Sequence, residues 1–196
     1  FKEGAGQVLG FLKDYIPKYE ATVANGYISF MTCNHDTPRP AYTLDERELK
    51  VAYAMLLTLP GVPFIYYGNE IGMRQLPESW PQVEGAYRPR NGARTPMQWT
   101  SGKNLGFSTA SPEKLYLPVD PSSDAPNVEA QEADPNSLLN RTRKLIELRK
   151  TEPALANYAE FVPIYAERDT YPFVYARAAG NDVVLVMLNP RSEASD

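Results

Sequence analysis

Apolar positions in the first third of the chain fall into two rhythms. Val8, Leu9, Phe11, Leu12, Tyr15 and Ile16 recur at three- and four-residue spacing, which predicts a helix with one buried face, closed off by Pro17 and by Asn25 and Gly26. The run "YISFM", residues 27–31, is short, aromatic and β-branched, and predicts a strand covered on both faces. In "TLDERELKVAYAMLLTLPG", Thr43 stands three residues before Glu46, the capping-box spacing. Leu49, Ala52, Tyr53, Leu56 and Leu57 then stripe one helical face until Pro60 and Gly61. A second apolar strand, "VPFIYYG" over residues 62–68, follows at once. Strand, helix, strand with brief links predicts a βαβ unit with parallel strands, and puts the polar residues after each strand at one edge.

Periodicity then disappears from 74 to 134, where prolines, glycines and aromatics dominate, a composition that predicts a long but ordered loop region. Asp134-Pro135 opens a further helix in which Leu138, Leu139, Thr142, Leu145, Ile146 and Arg149 share a face, Arg149 through its aliphatic stem. Beyond Pro153 the rhythm changes to strands, "FVPIYAE", "YPFVYARA" and "DVVLVMLN", with Ala179, Gly180 and Asn181 as a hairpin turn. The fold expected is α/β over residues 1–153, followed by the start of an antiparallel β domain over 154–196.

Charge and composition narrow the function classes. The net charge of -4 and the scattered Lys and Arg residues lack the one-sided basic footprint of a nucleic-acid binder. The single cysteine forms no internal disulfide, and neither a CxxC pair nor a His/Cys cluster with metal spacing is present, so no cofactor or metal is expected. No apolar run reaches the roughly 20 residues of a spanning helix. Phe1 at the start, and a strand running directly into "RSEASD" at the end, read as a piece of a longer protein.

The chemistry concentrates just past the first strand. "FMTCNHDTPRP" holds the only cysteine and the only histidine, with Asn34, His35, Asp36 and Arg39 within six positions. Sheets and barrels of parallel strands bind ligands at the strands' carboxyl ends, where these residues fall. A capping Asp beside a satisfied His is the alternative at this level. "GNEIGM" supplies a second carboxylate, Glu70, after the next strand, either as the partner of Asp36 in a glycosidase pair or as a structural residue. "NGARTPMQWTSGKNLGFS" joins Arg94 to Trp99 and Phe107, residue types that suit a sugar site or a self-packed loop.

These segments resemble, in order, four motifs of the α-amylase superfamily, glycoside hydrolase family 13. "FMTCNHDTPR" resembles the segment around its seventh barrel strand, and "LPGVPFIYYGNEIGM" its eighth strand and the turn after it. "GARTPMQWTSGKNLGFS" is similar to the α-glucosidase, oligo-1,6-glucosidase and trehalose synthase branch, and "ADPNSLLNRTRKLIELRKTEPAL" resembles the helix that closes the barrel.

The resemblance implies the C-terminal part of a (β/α)8 barrel, strands seven and eight with flanking helices, then the antiparallel β domain. It implies that Asp36 is the third catalytic carboxylate, a transition-state stabiliser that binds sugar hydroxyls, and that His35 bonds the same sugar. Arg94 would contact a terminal glucose, with Arg88 and Arg90 close by, while Asn34 and Arg39 hold the loop; Glu70 has no catalytic role in that pattern. The family's nucleophile and acid follow strands that this chain does not contain. The expected parent is a retaining α-glucoside hydrolase acting on terminal bonds of oligosaccharides or α-glucans, with this chain inactive and self-associating by itself. The alternatives are a transglycosylating isomerase such as trehalose synthase, or a non-catalytic transporter accessory domain.

Overall fold

The computed structural model describes residues 7–77, 88–168 and 170–194, with the side chains of 88 and 89 also outside the description. Two compact units form, one from residues 1–30, 47–64 and 142–196 and the other from 31–46 and 65–141.

The first unit packs helices against a three-stranded antiparallel sheet. Helix α1 (Val8–Thr22) buries Val8, Leu12 and Tyr15, as its spacing predicts, but continues past Pro17. The hydrogen bond that Pro17 cannot make would have reached the carbonyl of Lys13; both residues are exposed, on the side of the helix where a missing bond costs least. Strand β1 (Ser29–Met31) pairs with β2 (Val62–Phe64) in a two-stranded sheet. Both are shorter than predicted, and neither is covered on both faces: Met31 and Phe64 are about half exposed. Among the described residues each strand has only the other as a sheet neighbour, so nothing buries their outer positions.

Helix α2 (Glu46–Thr58) buries Leu49, Ala52, Tyr53, Leu56 and Leu57, the whole predicted stripe. It opens at Glu46, two residues later than a capping box with Thr43 at the N-cap requires. A 3-10 turn over Pro40–Tyr42 takes the Thr43 N–H for the Pro40 carbonyl, and Thr43 closes that turn instead of starting the helix.

The sheet runs β3 (Glu160–Tyr165), β4 (Phe173–Ala179), β5 (Asp182–Leu188), with β4 in the centre and both pairs antiparallel. Ala179 faces Asp182 across the Gly180-Asn181 turn, and Gly180 takes the left-handed φ of 62° that this tight turn needs. Alternation does the rest: Phe173, Tyr175, Val186 and Leu188 enter a core with Val8, Leu12, Leu59 and Tyr171. Pro163 sits on edge strand β3, where the register shifts.

Two arginines hold this unit together through carbonyls. Helix α5 (Leu138–Thr151) carries Arg149, whose guanidinium donates to the carbonyls of Leu57, Leu59 and Gly61 and to Asn157 Oδ1. Arg177, fully buried on β4, donates to the carbonyls of Thr58, Ala156, Ala159 and Glu160. The C-terminal carbonyls of α2, which no helical N–H can reach, are thus taken by cations at the negative end of the helix dipole. Arg149, predicted to share the buried face through its aliphatic stem, also brings its charged head to these carbonyls. Ile146, predicted on the same face, is 38% exposed.

The second unit has a small core of Ile71, Met73 and Leu139 with Met97 and Val128. Its loop-rich stretch is ordered by short helices, α3 (Arg88–Asn91) and α4 (Val128–Ala133), the latter capped by Asn127 Oδ1 accepting from the Ala130 N–H at 2.9 Å. Gln131 bridges to the Ile71 carbonyl and accepts from the Leu139 N–H. Residues 78–87 of the predicted loop, Trp80 among them, lie outside the described residues.

Candidate active site

The segment leaving β1 folds on itself. Asn34 Oδ1 accepts from the Asp36 N–H at 2.8 Å, and Thr37 Oγ1 accepts from the Asn34 N–H at 3.0 Å, an Asx turn that pushes His35 and Asp36 outward. Two arginines from the later loop meet them. Arg94 Nη2 donates to Asp36 Oδ1 at 3.0 Å and its Nε to the His35 carbonyl at 2.9 Å. Arg90 Nη1 lies 2.9 Å from the same Oδ1, and His35 Nε2 3.4 Å from it.

Three sequence-predicted residues, His35, Asp36 and Arg94, therefore converge across 58 positions of chain. One carboxylate oxygen is fixed by cations. Among the described residues, Oδ2 has no hydrogen-bond partner and is open to accept from hydroxyls. The Asp36 side chain is 39% exposed and that of Arg90 42%, so solvent screens these pairs and their value lies in geometry more than in stability.

Arg39 sits elsewhere. It is 1% exposed and packs over the Tyr66 and Tyr67 rings, 5.1 and 4.9 Å from their centroids. Its Nη1 donates to the Tyr67 carbonyl at 2.7 Å and to Asn69 Oδ1 at 3.0 Å. Its backbone N–H is received by Gln75 Oε1. Asn69 Nδ2 in turn donates to Thr32 Oγ1 at 3.3 Å and Cys33 Sγ at 2.9 Å. Burial pushes the Cys33 thiol pKa up, against the smaller opposing influence of the Asn69 donor and Arg39. Asn69 and Gln75 were not among the sequence candidates. The signal available was position alone, since both follow the strand that the βαβ reading sets beside the Asp36 loop.

Glu70 is not an open partner for Asp36. Among the described residues its Oε2 is buried without a hydrogen-bond partner, and burial raises its pKa. Turns on either side hold it there, with Gly68 and Gly72 both left-handed at φ of 78° and 71°. A Cβ on Gly68 would meet Met73 Sδ at 2.1 Å. Trp99 and Phe107 are about half exposed. They flank a turn in which Asn104, Leu105 and Gly106 are all left-handed, and the buried Asn104 side chain donates to the carbonyls of Ser108 and Ala110. Among the described residues no three His, Cys, Asp or Glu side chains gather as metal ligands, and no helix is long and apolar enough to cross a membrane.

The family model for the α-amylase catalytic domain matches residues 7–158. A trehalose synthase/amylase of Mycobacterium tuberculosis is 45% identical over 123 residues, covering 60% of this chain and 19% of that protein. A probable oligo-1,6-glucosidase of Bacillus subtilis is 33% identical over 218 residues, covering 92% of this chain and 37% of that protein. The solved isomaltulose synthase of Klebsiella sp. LX3 aligns with a TM-score of 0.76 at 27% identity, over 94% of this chain and 38% of that one. The chain thus spans less than two-fifths of the length of each. With the family model matching residues 7–158 of the 196, this chain belongs to the α-amylase family of glycoside hydrolases, as part of its catalytic domain.

Proposed function

We propose that this chain supplies one wall of the active site of a retaining enzyme acting on terminal α-glucosidic bonds of oligosaccharides. In this reading residues 1–153 are the C-terminal part of a (β/α)8 barrel, strands seven and eight with their helices, and 154–196 begin an antiparallel β domain. The observation that carries it is the Asp36 carboxylate, with Oδ1 held by Arg90 and Arg94 beside His35 and Oδ2 open. Such a carboxylate accepts two sugar hydroxyls in a fixed direction and favours a flattened, oxocarbenium-like ring. Arg94 orients Asp36 and presents donors to the same sugar, and His35 donates to a neighbouring hydroxyl. Asn34 and Arg39 hold the loop. The nucleophile and acid come from outside this chain, so the chain alone performs no hydrolysis.

Purified by itself, the chain is expected to leave para-nitrophenyl α-glucoside unhydrolysed; turnover abolished by Asp36→Ala would overturn the division of labour. In the complete gene product, Asp36→Asn is expected to lower kcat about 100-fold or more, on the order of 2.7 kcal/mol of transition-state stabilisation, with the thermal midpoint retained. Near-normal kcat would remove Asp36 from the chemistry. The 45% identity to a trehalose synthase/amylase over 123 residues favours a second reading, intramolecular transfer in place of hydrolysis. Product analysis from maltose separates them: glucose for the hydrolase, a non-reducing disaccharide for the isomerase. A non-catalytic accessory domain predicts neither product.

A further inference from the structure

We infer that Asn69 is the positioning residue that sets the His35–Asp36 loop, gripping both of its feet with one side-chain amide. This rests on the reading of Asp36 given above. The loop leaves the sheet through Thr32 and Cys33 and ends at Arg39. Asn69 Nδ2 donates to Thr32 Oγ1 at 3.3 Å and to Cys33 Sγ at 2.9 Å at the entry foot, and Asn69 Oδ1 accepts from Arg39 Nη1 at 3.0 Å at the exit foot. Asn69 is 2% exposed, Cys33 5% and Arg39 1%, so these bonds form away from solvent, where each counts for more than at the surface.

The contacts at the tip work differently. Asp36 and His35 are exposed, and their ion pairs are screened. The buried feet therefore set where the loop stands, and Arg90 and Arg94 orient the carboxylate within it. The chemistry of the clamp selects an amide. It needs an acceptor toward a guanidinium and donors toward a hydroxyl and a thiol, at the same short reach. A carboxylate keeps the first and loses the second, and it sets a negative charge against the buried thiol. Leucine has nearly the same shape and keeps neither.

The chain carries its own reporter. Cys33 is the only cysteine and is one of the atoms held, so its reaction with a disulfide reagent under native conditions reads the opening of the entry foot. Asn69→Leu is expected to speed that labelling about tenfold or more, the factor that about 1.4 kcal/mol makes. The acceleration should persist at low urea with little urea dependence, as local opening does. Asn69→Asp should also speed it, because the donor to sulfur is gone. In the complete gene product both variants are expected to lower kcat about tenfold or more, with KM changed less. Unchanged labelling and unchanged kcat in Asn69→Leu would overturn the inference, as would an acceleration carrying the full urea dependence of global unfolding. The two readings fail separately. Full activity in Asp36→Asn removes the catalytic reading and leaves the labelling result standing, whereas an inactive Asp36→Asn with an indifferent Asn69→Leu removes Asn69 alone.

Discussion

Replacing Arg177 by methionine removes four hydrogen bonds at once while keeping much of the side-chain volume. The carbonyls of Thr58, Ala156, Ala159 and Glu160 lose a charged donor, at distances between 2.6 and 3.2 Å. Bonds to charged groups contribute roughly 1.5–3 kcal/mol each, so the gross loss is about 6–12 kcal/mol. Against this stands what the fold spends on burying a cation. Burial lowers the Arg177 pKa from its ordinary 12.5 to about 10, with Arg149 nearby adding repulsion, and that drop corresponds to about 3 kcal/mol against the charged form. The net destabilisation expected is at least about 3 kcal/mol, a large part of the roughly 5–15 kcal/mol that holds a domain folded. Arg177→Lys should recover less than half, since one ammonium cannot span carbonyls that a planar fork reaches. Urea unfolding followed by circular dichroism, at matched protein concentration, measures it. A loss below about 1 kcal/mol in the methionine variant would show that these carbonyls find other partners and that the arginine is not the clamp.

Further outcomes follow from the same geometry. Glu70 has its folded pKa raised by burial above the ordinary 4.5, so the folded state holds a proton that the unfolded chain releases, and stability falls as pH rises through that window. Glu70→Gln should therefore raise the thermal midpoint at neutral pH, with the gain vanishing toward pH 4.5 and below; a gain independent of pH would refute the assignment. Gly61→Ala should cost more than about 2 kcal/mol in urea unfolding, because φ is +125° there and a Cβ would stand 2.4 Å from the Ile28 carbonyl oxygen. The outer face of the sheet exposes Val162, Val183, Leu185 and Met187, so the chain should self-associate in light scattering, and Leu185→Lys with Met187→Lys should return it toward the monomer mass of 21.9 kDa. A concentration-independent monomer in the unsubstituted chain would refute that.

The sequence is legible where burial has a period. The α2 stripe and the β4–β5 hairpin follow directly from 3.6- and 2-residue repeats, because one face of each meets a core. It is less legible where a rule of thumb meets a local compensation. Pro17 stays inside a helix on its exposed side, and Thr43 spends its N–H on a neighbouring turn before a capping box can form. Ile146 belongs to the α5 pattern, yet it stays 38% exposed; periodicity reports which residues share a face, not how wide the neighbour is.

The candidate site divides along the same line. His35, Asp36 and Arg94 were readable because they sit in motifs that resemble the family's; as residue types alone they left a capping Asp, a satisfied His and a self-packed loop open. Arg177 and Asn69 were not, although they are among the most buried polar groups in the chain. Their partners lie far off in sequence, Thr58 at a separation of 119 and Cys33 at 36, and a polar residue in an apolar run gives no sign of which carbonyl or thiol will meet it. Short-range pattern therefore fixes what is buried, whereas the polar groups that orient a site are defined only by the folded distances between segments. In the proposed site the exposed residues would meet the sugar, and the buried ones hold the loop that carries them. Substitutions at Asn69 and at Asp36 should therefore separate in assay: the first changes how the loop opens, and the second changes what the open carboxylate oxygen can accept.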